Sequence, residues 1–246
     1  MPDVQVLADA ASVARVAAET VAEVLSNAAE RRGRCSIALS GGSTPRDLYR
    51  RLGSIEYVER VPWDALHVFW GDERCVPPVD PDSDYLMAKE AMLDHVPVPA
   101  GRIHRIRGED PPERAAEEYE RLLRRSFGEA EGPPPLEDGA RFDLVLLGMG
   151  EDGHTASLFP GTGAVLETAR WVIHVRAQAS PRNRVSLTAP VLSAAARKLF
   201  LVTGMAKAPT LARVLEGPRD LDAAPAQAIE GAEWLVDAAA ASMLSA

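Results

Sequence analysis

Long hydrophobic runs are missing from this chain of 246 residues; no stretch approaches the roughly 20 apolar residues that span a bilayer. No basic start with an apolar core and cleavage site opens the sequence, so no secretory signal is expected. Cysteine is scarce, with Cys35 and Cys75 alone. Two are too few for a disulfide framework or a zinc site built on Cys pairs, and they read as inert thiols in a reducing cytoplasm. Positive charge is in deficit, and the net −9 argues against a nucleic acid or an anionic membrane as partner. A local basic cluster can still hold a small anion. The chain also lacks a Lys-Ser/Thr pair at Walker spacing, a G-x-S-x-G elbow, a cluster of metal ligands and any internal repeat. What remains is an ordinary globular composition, 46% apolar and 26% charged, with enough apolar residues for a sizeable core.

Strands and helices alternate along the chain, which predicts an α/β fold with one doubly wound, mainly parallel sheet over residues 1–246. Val4–Leu7 reads as a first strand, followed by a helix over about Asp9–Arg32 that Asp9 or Ser12 would cap and Gly33 would end. Cys35–Leu39 is a compact apolar strand feeding Ser40-Gly41-Gly42-Ser43-Thr44-Pro45, with Pro45 as the first residue of a helix to Leu52. That strand, glycine turn and helix present backbone amides and a positive helix end to a phosphate, or else form a tight turn with a capping Ser or Thr. Leu66–Trp70 is a strand running into Asp72-Glu73-Arg74, read as ligand-facing charges or a solvated loop. Ser83 caps a helix to about Val96, a short strand lies near Ile103–Ile106, and Pro111–Phe127 is an exposed helix. Gly128–Gly139, with Pro133, Pro134 and Pro135, is the most loop-like piece. Further on come a strand at Trp171–Val175, an extended loop at Ala177–Arg184, a helix at Thr188–Ala196 and a strand at Lys198–Thr203. Lys207 then opens a helix to about Leu215, and a closing strand and helix follow Gly231. A Lys at a helix start opposes the dipole, so Lys207 points to an anion there.

The sharpest chemical signal is Phe142–Gly161, FDLVLLGMGEDGHTASLFPG. An unbroken apolar run reads as a strand buried on both faces, and ligands in open α/β sheets bind at strand carboxyl ends. Gly148, Gly150 and Gly153 let the backbone turn there, with Asp152 and His154 inside the turn. The glycines spell a dinucleotide fingerprint, but Pro160 and Gly161 cut short the helix that a fingerprint needs. No acid follows the next strand, where Val175-Arg176-Ala177-Gln178 stands, so a dinucleotide is not expected. A His after a strand can be purely structural. With Asp152 to orient it and no nucleophile or metal cluster elsewhere, His154 instead suits proton abstraction from water.

GMGEDGHTASLFPG, together with SGGSTP, GDERCVP and PRNRVSLT, closely resembles the 6-phosphogluconolactonase family, part of a superfamily shared with the glucosamine-6-phosphate deaminases. The resemblance implies a three-layer α/β/α fold and hydrolysis of a phosphorylated sugar lactone in the pentose phosphate pathway, with neither metal nor organic cofactor. It makes His154 the general base and Asp152 its neighbouring acid. Gly41, Gly42, Ser43 and Thr44 become the phosphate turn, Arg184 and Lys207 its cations, and Arg74 the partner of the sugar end or of the developing oxyanion. Asp72 counts with the substrate-side residues. Asp84 is a departure, since an Asn is expected after Ser83; it reads as a helix-start variant near the pocket rim. The expected protein is cytoplasmic, a monomer or small homo-oligomer. One rival is a sugar-phosphate isomerase or deaminase, for which Asp72 would be the carboxylate base over C2; another is a non-catalytic binding module, which has no need of His154.

Overall fold

The computed structural model describes residues 3–128 and 141–245, so Pro133, Pro134 and Pro135 lie outside the described residues. β1 (Asp3–Leu7) leads into α1 (Ala10–Arg32), where Asp9 accepts a hydrogen bond from the Ser12 N–H at 2.7 Å and Gly33 closes the helix at φ +68°. β2 (Cys35–Leu39), α2 (Ser43–Leu52), α3 (Ile55–Val58) and β3 (Leu66–Trp70) follow. Later come β4 (Asp72–Arg74), α4 (Asp84–Ala91), α5 (Pro112–Phe127), β5 (Leu144–Leu147), β6 (Val172–Arg176) and β7 (Asn183–Leu187). The last elements are α6 (Ala189–Ser193), β8 (Arg197–Val202), α7 (Ala208–Glu216) and β9 (Glu233–Asp237).

Six strands form a parallel sheet in the order β1-β9-β8-β5-β2-β3. Every residue of β2 and β5 is buried, as the apolar runs Cys35–Leu39 and Leu144–Leu147 require of strands covered on both faces. α1 and α2 pack on each other, and α1 also packs on β2 and β9. Phe200 and Trp234, register partners in β8 and β9, stack at 3.8 Å. The sheet therefore presents the carboxyl ends of β2, β5 and β8 side by side, where a ligand site is expected in this architecture.

A second, antiparallel sheet, β4-β7-β6, departs from the single sheet that alternation suggests. Asp72-Glu73-Arg74 is a strand rather than a loop, and Arg184 lies within β7 rather than in an extended connection. Trp171–Val175 shifts to Val172–Arg176 and joins this sheet rather than the main one. Three smaller expectations also change. No strand forms at Ile103–Ile106, where one bridge joins Val68 to Ile103. The helix after Ser83 ends at Ala91, before a 3-10 turn, and the chain closes on a 3-10 turn at Ala240–Met243 instead of an α-helix.

Candidate active site

The turn after β5 is built around the absence of one atom. A Cβ on Gly150 would lie 2.1 Å from His154 Nδ1 and 2.4 Å from Asp152 Oδ1, so only glycine lets both side chains pack on this backbone. The turn closes through the Gly150 N–H donating to the His154 carbonyl at 2.9 Å and the Gly153 N–H donating to the Gly150 carbonyl at 3.1 Å. Asp152 Oδ1 accepts from the His154 backbone N–H at 3.1 Å and lies 2.6 Å from its ring Nδ1. The hydrogen bond from His154 holds the Asp152 carboxyl down at about 2. A carboxylate can only accept, so Nδ1 carries a proton, and in the neutral ring the lone pair is on Nε2. Phe159 packs on the imidazole at 4.6 Å, and α7 anchors the turn from outside. Arg213 donates to the Asp152 carbonyl at 2.7 Å, and Thr210 donates to the Glu151 carbonyl.

At the end of β2, Gly42 stands at φ +105° and α2 begins at Ser43, two residues before Pro45. Pro45 thus falls in the first turn, where a missing N–H removes no helical bond. The Tyr49 hydroxyl accepts from the Ser40 N–H at 2.9 Å and donates to the Ser40 carbonyl at 2.8 Å, fixing the turn by a single residue. Thr44 Oγ1 meets Thr203 Oγ1 at 2.7 Å, which joins this turn to the end of β8. There Asp237 accepts from the Gly204 N–H at 3.0 and 3.1 Å and from the Ala240 N–H at 2.7 Å. The backbone of Lys207 is thereby held, while its ammonium makes no ion pair among the described residues.

Strand alternation sorts the three charges after β3. Asp72 and Arg74 share one face of the small sheet, directly opposite Ser186 and Arg184, while Glu73 faces the other way. Glu73 accepts from the N–H groups of Arg74, Asp84 and Tyr85 and from Ser83 Oγ, so it ties β4 to the start of α4. Asp72 Oδ2 accepts from Ser157 Oγ at 2.7 Å, and the Ser157 N–H donates to Ser186 Oγ at 3.2 Å. Ala156, at φ 45°, turns Ser157 inward. Arg74 Nη1 lies 2.9 Å from Asp84 Oδ1 and donates to the Asp82 carbonyl at 2.8 Å. Arg184 is 8% exposed, and its buried Nη1 has no hydrogen-bond partner. Burial first, then Arg74, draws its guanidinium below its ordinary value. Asp84 begins α4 as a helix-start residue, but its carboxylate is buried on Gly41 rather than placed at a rim.

The structure thus joins Asp152 to His154, Asp72 to the His154 loop through Ser157, and Thr44 to the strand end that carries Lys207. Arg74 and Arg184 stand beside the glycine turn through Asp84. Ser157, Asp237, Tyr49, Arg213 and Thr210 were not among the sequence candidates. Ser157 lies inside the singled-out motif, whereas each of the others bonds a backbone group nine or more residues away in the chain, which no local pattern announces. Among the described residues no group of three or more His, Cys, Asp or Glu side chains is placed to hold a metal. Burial pushes the Cys35 thiol up to about 12 and the Cys75 thiol up to about 11, so neither is a thiolate at neutral pH.

The family described as glucosamine-6-phosphate isomerases/6-phosphogluconolactonase matches residues 8–236. A 6-phosphogluconolactonase of Nostoc is 41% identical, with 98% of each chain covered. That of Haemophilus influenzae is 38% identical, covering 85% of this chain and 87% of the relative. The solved structure of 6-phosphogluconolactonase from Trypanosoma brucei superimposes with a TM-score of 0.84 at 31% identity, over 100% of this chain and 99% of the other. With a family match over nearly the whole described core and full-length relatives of this similarity, the chain belongs to the glucosamine-6-phosphate isomerase/6-phosphogluconolactonase family.

Proposed function

We propose that this protein hydrolyses 6-phosphoglucono-1,5-lactone to 6-phosphogluconate, the second step of the oxidative pentose phosphate pathway, with His154 as general base. The observation that carries the reading is the Asp152–His154 pair at 2.6 Å in a turn at the carboxyl end of a central strand. Nε2 takes a proton from water as the water oxygen bonds to the lactone carbonyl carbon. The carbon–ring oxygen bond then breaks, and the proton passes from His154 to the departing ring oxygen. Asp152 keeps the imidazole in the required tautomer and offsets the positive charge formed midway. The amides of the Gly41–Thr44 turn, with Arg184 and Lys207, receive the phosphate, supplying binding energy away from the reacting carbon. Arg74 contacts Asp84 over Gly41, which supports a place at the phosphate end in preference to the oxyanion.

The rival deaminase or isomerase chemistry needs a free carboxylate base over C2. Asp72 is buried and already accepts from Ser157, which weighs against that role. The protein is further proposed to act in the cytoplasm as a monomer or small homo-oligomer, with no nucleic-acid or membrane partner, in keeping with its net charge of −9 and unpaired cysteines. No helix among the described residues is long and apolar enough to cross a membrane. Lactone loss, corrected for spontaneous hydrolysis, and ammonia release from glucosamine 6-phosphate test the assignment together. Acceleration of the first without the second is expected; deamination without lactone hydrolysis overturns the reading. His154→Ala should lower kcat by about 10²–10⁴-fold while 6-phosphogluconate affinity stays nearly unchanged, and Lys207→Ala should mainly raise KM. Hydrolysis by His154→Ala at the parent rate would show that the base lies elsewhere.

A further inference from the structure

Arg74 and Arg184 are direct cross-strand partners on one face of a two-stranded ladder, an arrangement that is unfavourable for like charges unless an anion lies between or beside them. In the free protein that anion is Asp84. Its carboxylate is 3% exposed, lies 2.9 Å from Arg74 Nη1, and is packed so closely on the phosphate turn that a Cβ on Gly41 would stand 2.0 Å from Oδ1. The Nη1 of Arg184, buried alongside, remains without a partner. A dianionic phosphate brought to the Gly41–Thr44 amides and these two guanidinium groups therefore meets a carboxylate already in place.

We propose that Asp84 is a proton-accepting member of the phosphate pocket: as a carboxylate it holds Arg74 in the free protein, and it takes one proton from solvent when a phosphorylated ligand binds. Arg74 then turns its guanidinium to the phosphate, and the protonated Asp84 becomes a hydrogen-bond donor to a phosphate oxygen in place of a like charge. This rests on the proposed phosphate site and adds a role that the site would not need if residue 84 were neutral.

The groups facing Asp84 favour this exchange. From β4 come Asp72, Glu73 and Arg74, from β7 Arg184, itself influenced by Asp82, and from α2 the Tyr49 phenol. Glu73 is engaged by four donors, three of them around the α4 start, and Asp72 by Ser157, so neither is free to pair with Arg74. Tyr49 is committed to Ser40. Burial, reinforced by Glu73 and Asp72 and opposed by Arg74 and Arg184, pushes the Asp84 carboxyl well above its ordinary value, the direction that favours proton uptake.

The test is calorimetric binding of 6-phosphogluconate to the native protein and to Asp84→Asn at pH 8, where the phosphate is already dianionic, in buffers of different ionisation enthalpy. The native protein should take up on the order of one proton per ligand, and its affinity should fall as pH rises, by up to about tenfold per pH unit. Asp84→Asn should take up none, bind more tightly than the native protein at pH 8 and show a flat profile. His154→Ala should retain the native uptake, which separates Asp84 from the imidazole. Binding to the native protein without proton uptake, or an unchanged pH slope in Asp84→Asn, overturns this inference alone. No binding of 6-phosphogluconate to the native protein, together with no acceleration of lactone hydrolysis, overturns the lactonase reading and this inference with it.

Discussion

An imidazole takes a proton from water efficiently when one nitrogen is committed to donation and the other is open, and at His154 that division is set by three adjacent residues. Asp152 fixes the tautomer, Gly150 gives both side chains a floor without a Cβ, and the left-handed Gly153, at φ 95°, closes the turn. Because the Asp152 carboxyl is held at about 2, it stays ionised throughout any neutral working range. Asp152→Asn keeps the size but removes the charge and lets an amide N–H face Nδ1, which favours the wrong tautomer. We expect kcat to drop by about 10²–10⁴-fold with little change in KM; a variant with native kcat would show that His154 needs no carboxylate partner. The same linkage has a stability side: a depressed carboxyl contributes stability above its unfolded value of 3.8, and this is lost as pH falls toward about 2. At this scale the sequence was legible where chemistry is local. The spacing of Asp152 and His154 across one glycine announces their contact. The burial of Asp84 on Gly41 does not announce itself, because the residues are far apart in the chain and meet only when α4 packs beside the turn after β2.

Elements position this chemistry by clamping the peptides at strand ends. Tyr49 of α2 holds both the N–H and the carbonyl of Ser40, directly after β2. Tyr119 of α5 does the same for Trp70 at the end of β3, with bonds of 2.9 and 3.0 Å. Each phenol replaces the ladder partners that a terminal peptide lacks, and burial drives both hydroxyls above their ordinary value, which keeps them neutral donors. Tyr49→Phe leaves the buried Ser40 N–H and carbonyl without partners. It should destabilise the fold by roughly 1–3 kcal/mol per orphaned group, read from the denaturant midpoint, and raise KM more than it lowers kcat, because the phosphate turn loses its anchor. An unchanged KM would show that the turn is held by Gly41 and Gly42 alone. The main strands were legible because β5 is an unbroken apolar run and β2 and β3 are apolar at all but Ser36 and His67, a pattern that fits strands covered on both faces. β4 and β7 were not. Their sequences, DER and NRVSL, place charges within short strands, and such segments become strands by pairing with one another, a non-local fact.

At the scale of the whole molecule, the site lies on a seam between two sheets whose strands run on different plans. The parallel sheet supplies the proposed catalytic turn, the proposed phosphate turn and the Lys207 turn from its carboxyl ends, and the antiparallel sheet supplies Asp72, Arg74 and Arg184. One apolar cluster runs beneath both, from Leu39 and Leu147 to Val185 and Leu187, but the polar connection near the chemistry is narrower. Ser157 bonds Asp72 of β4 and Ser186 of β7 at once, from the loop that carries His154. If this link sets the distance between the general base and the cationic pair, Ser157→Ala should cost about 1–3 kcal/mol by stripping a donor from a buried carboxylate. It should also lower kcat without abolishing ligand binding, since each half of the site stays intact on its own sheet. Asp72→Asn combined with Ser157→Ala should then cost less than the sum of the single changes, with a coupling of about 0.5–3 kcal/mol by chemical denaturation. Additive losses in stability and in kcat would mean that the two sheets are registered by their apolar core alone, and that Ser157 merely fills space beneath the loop.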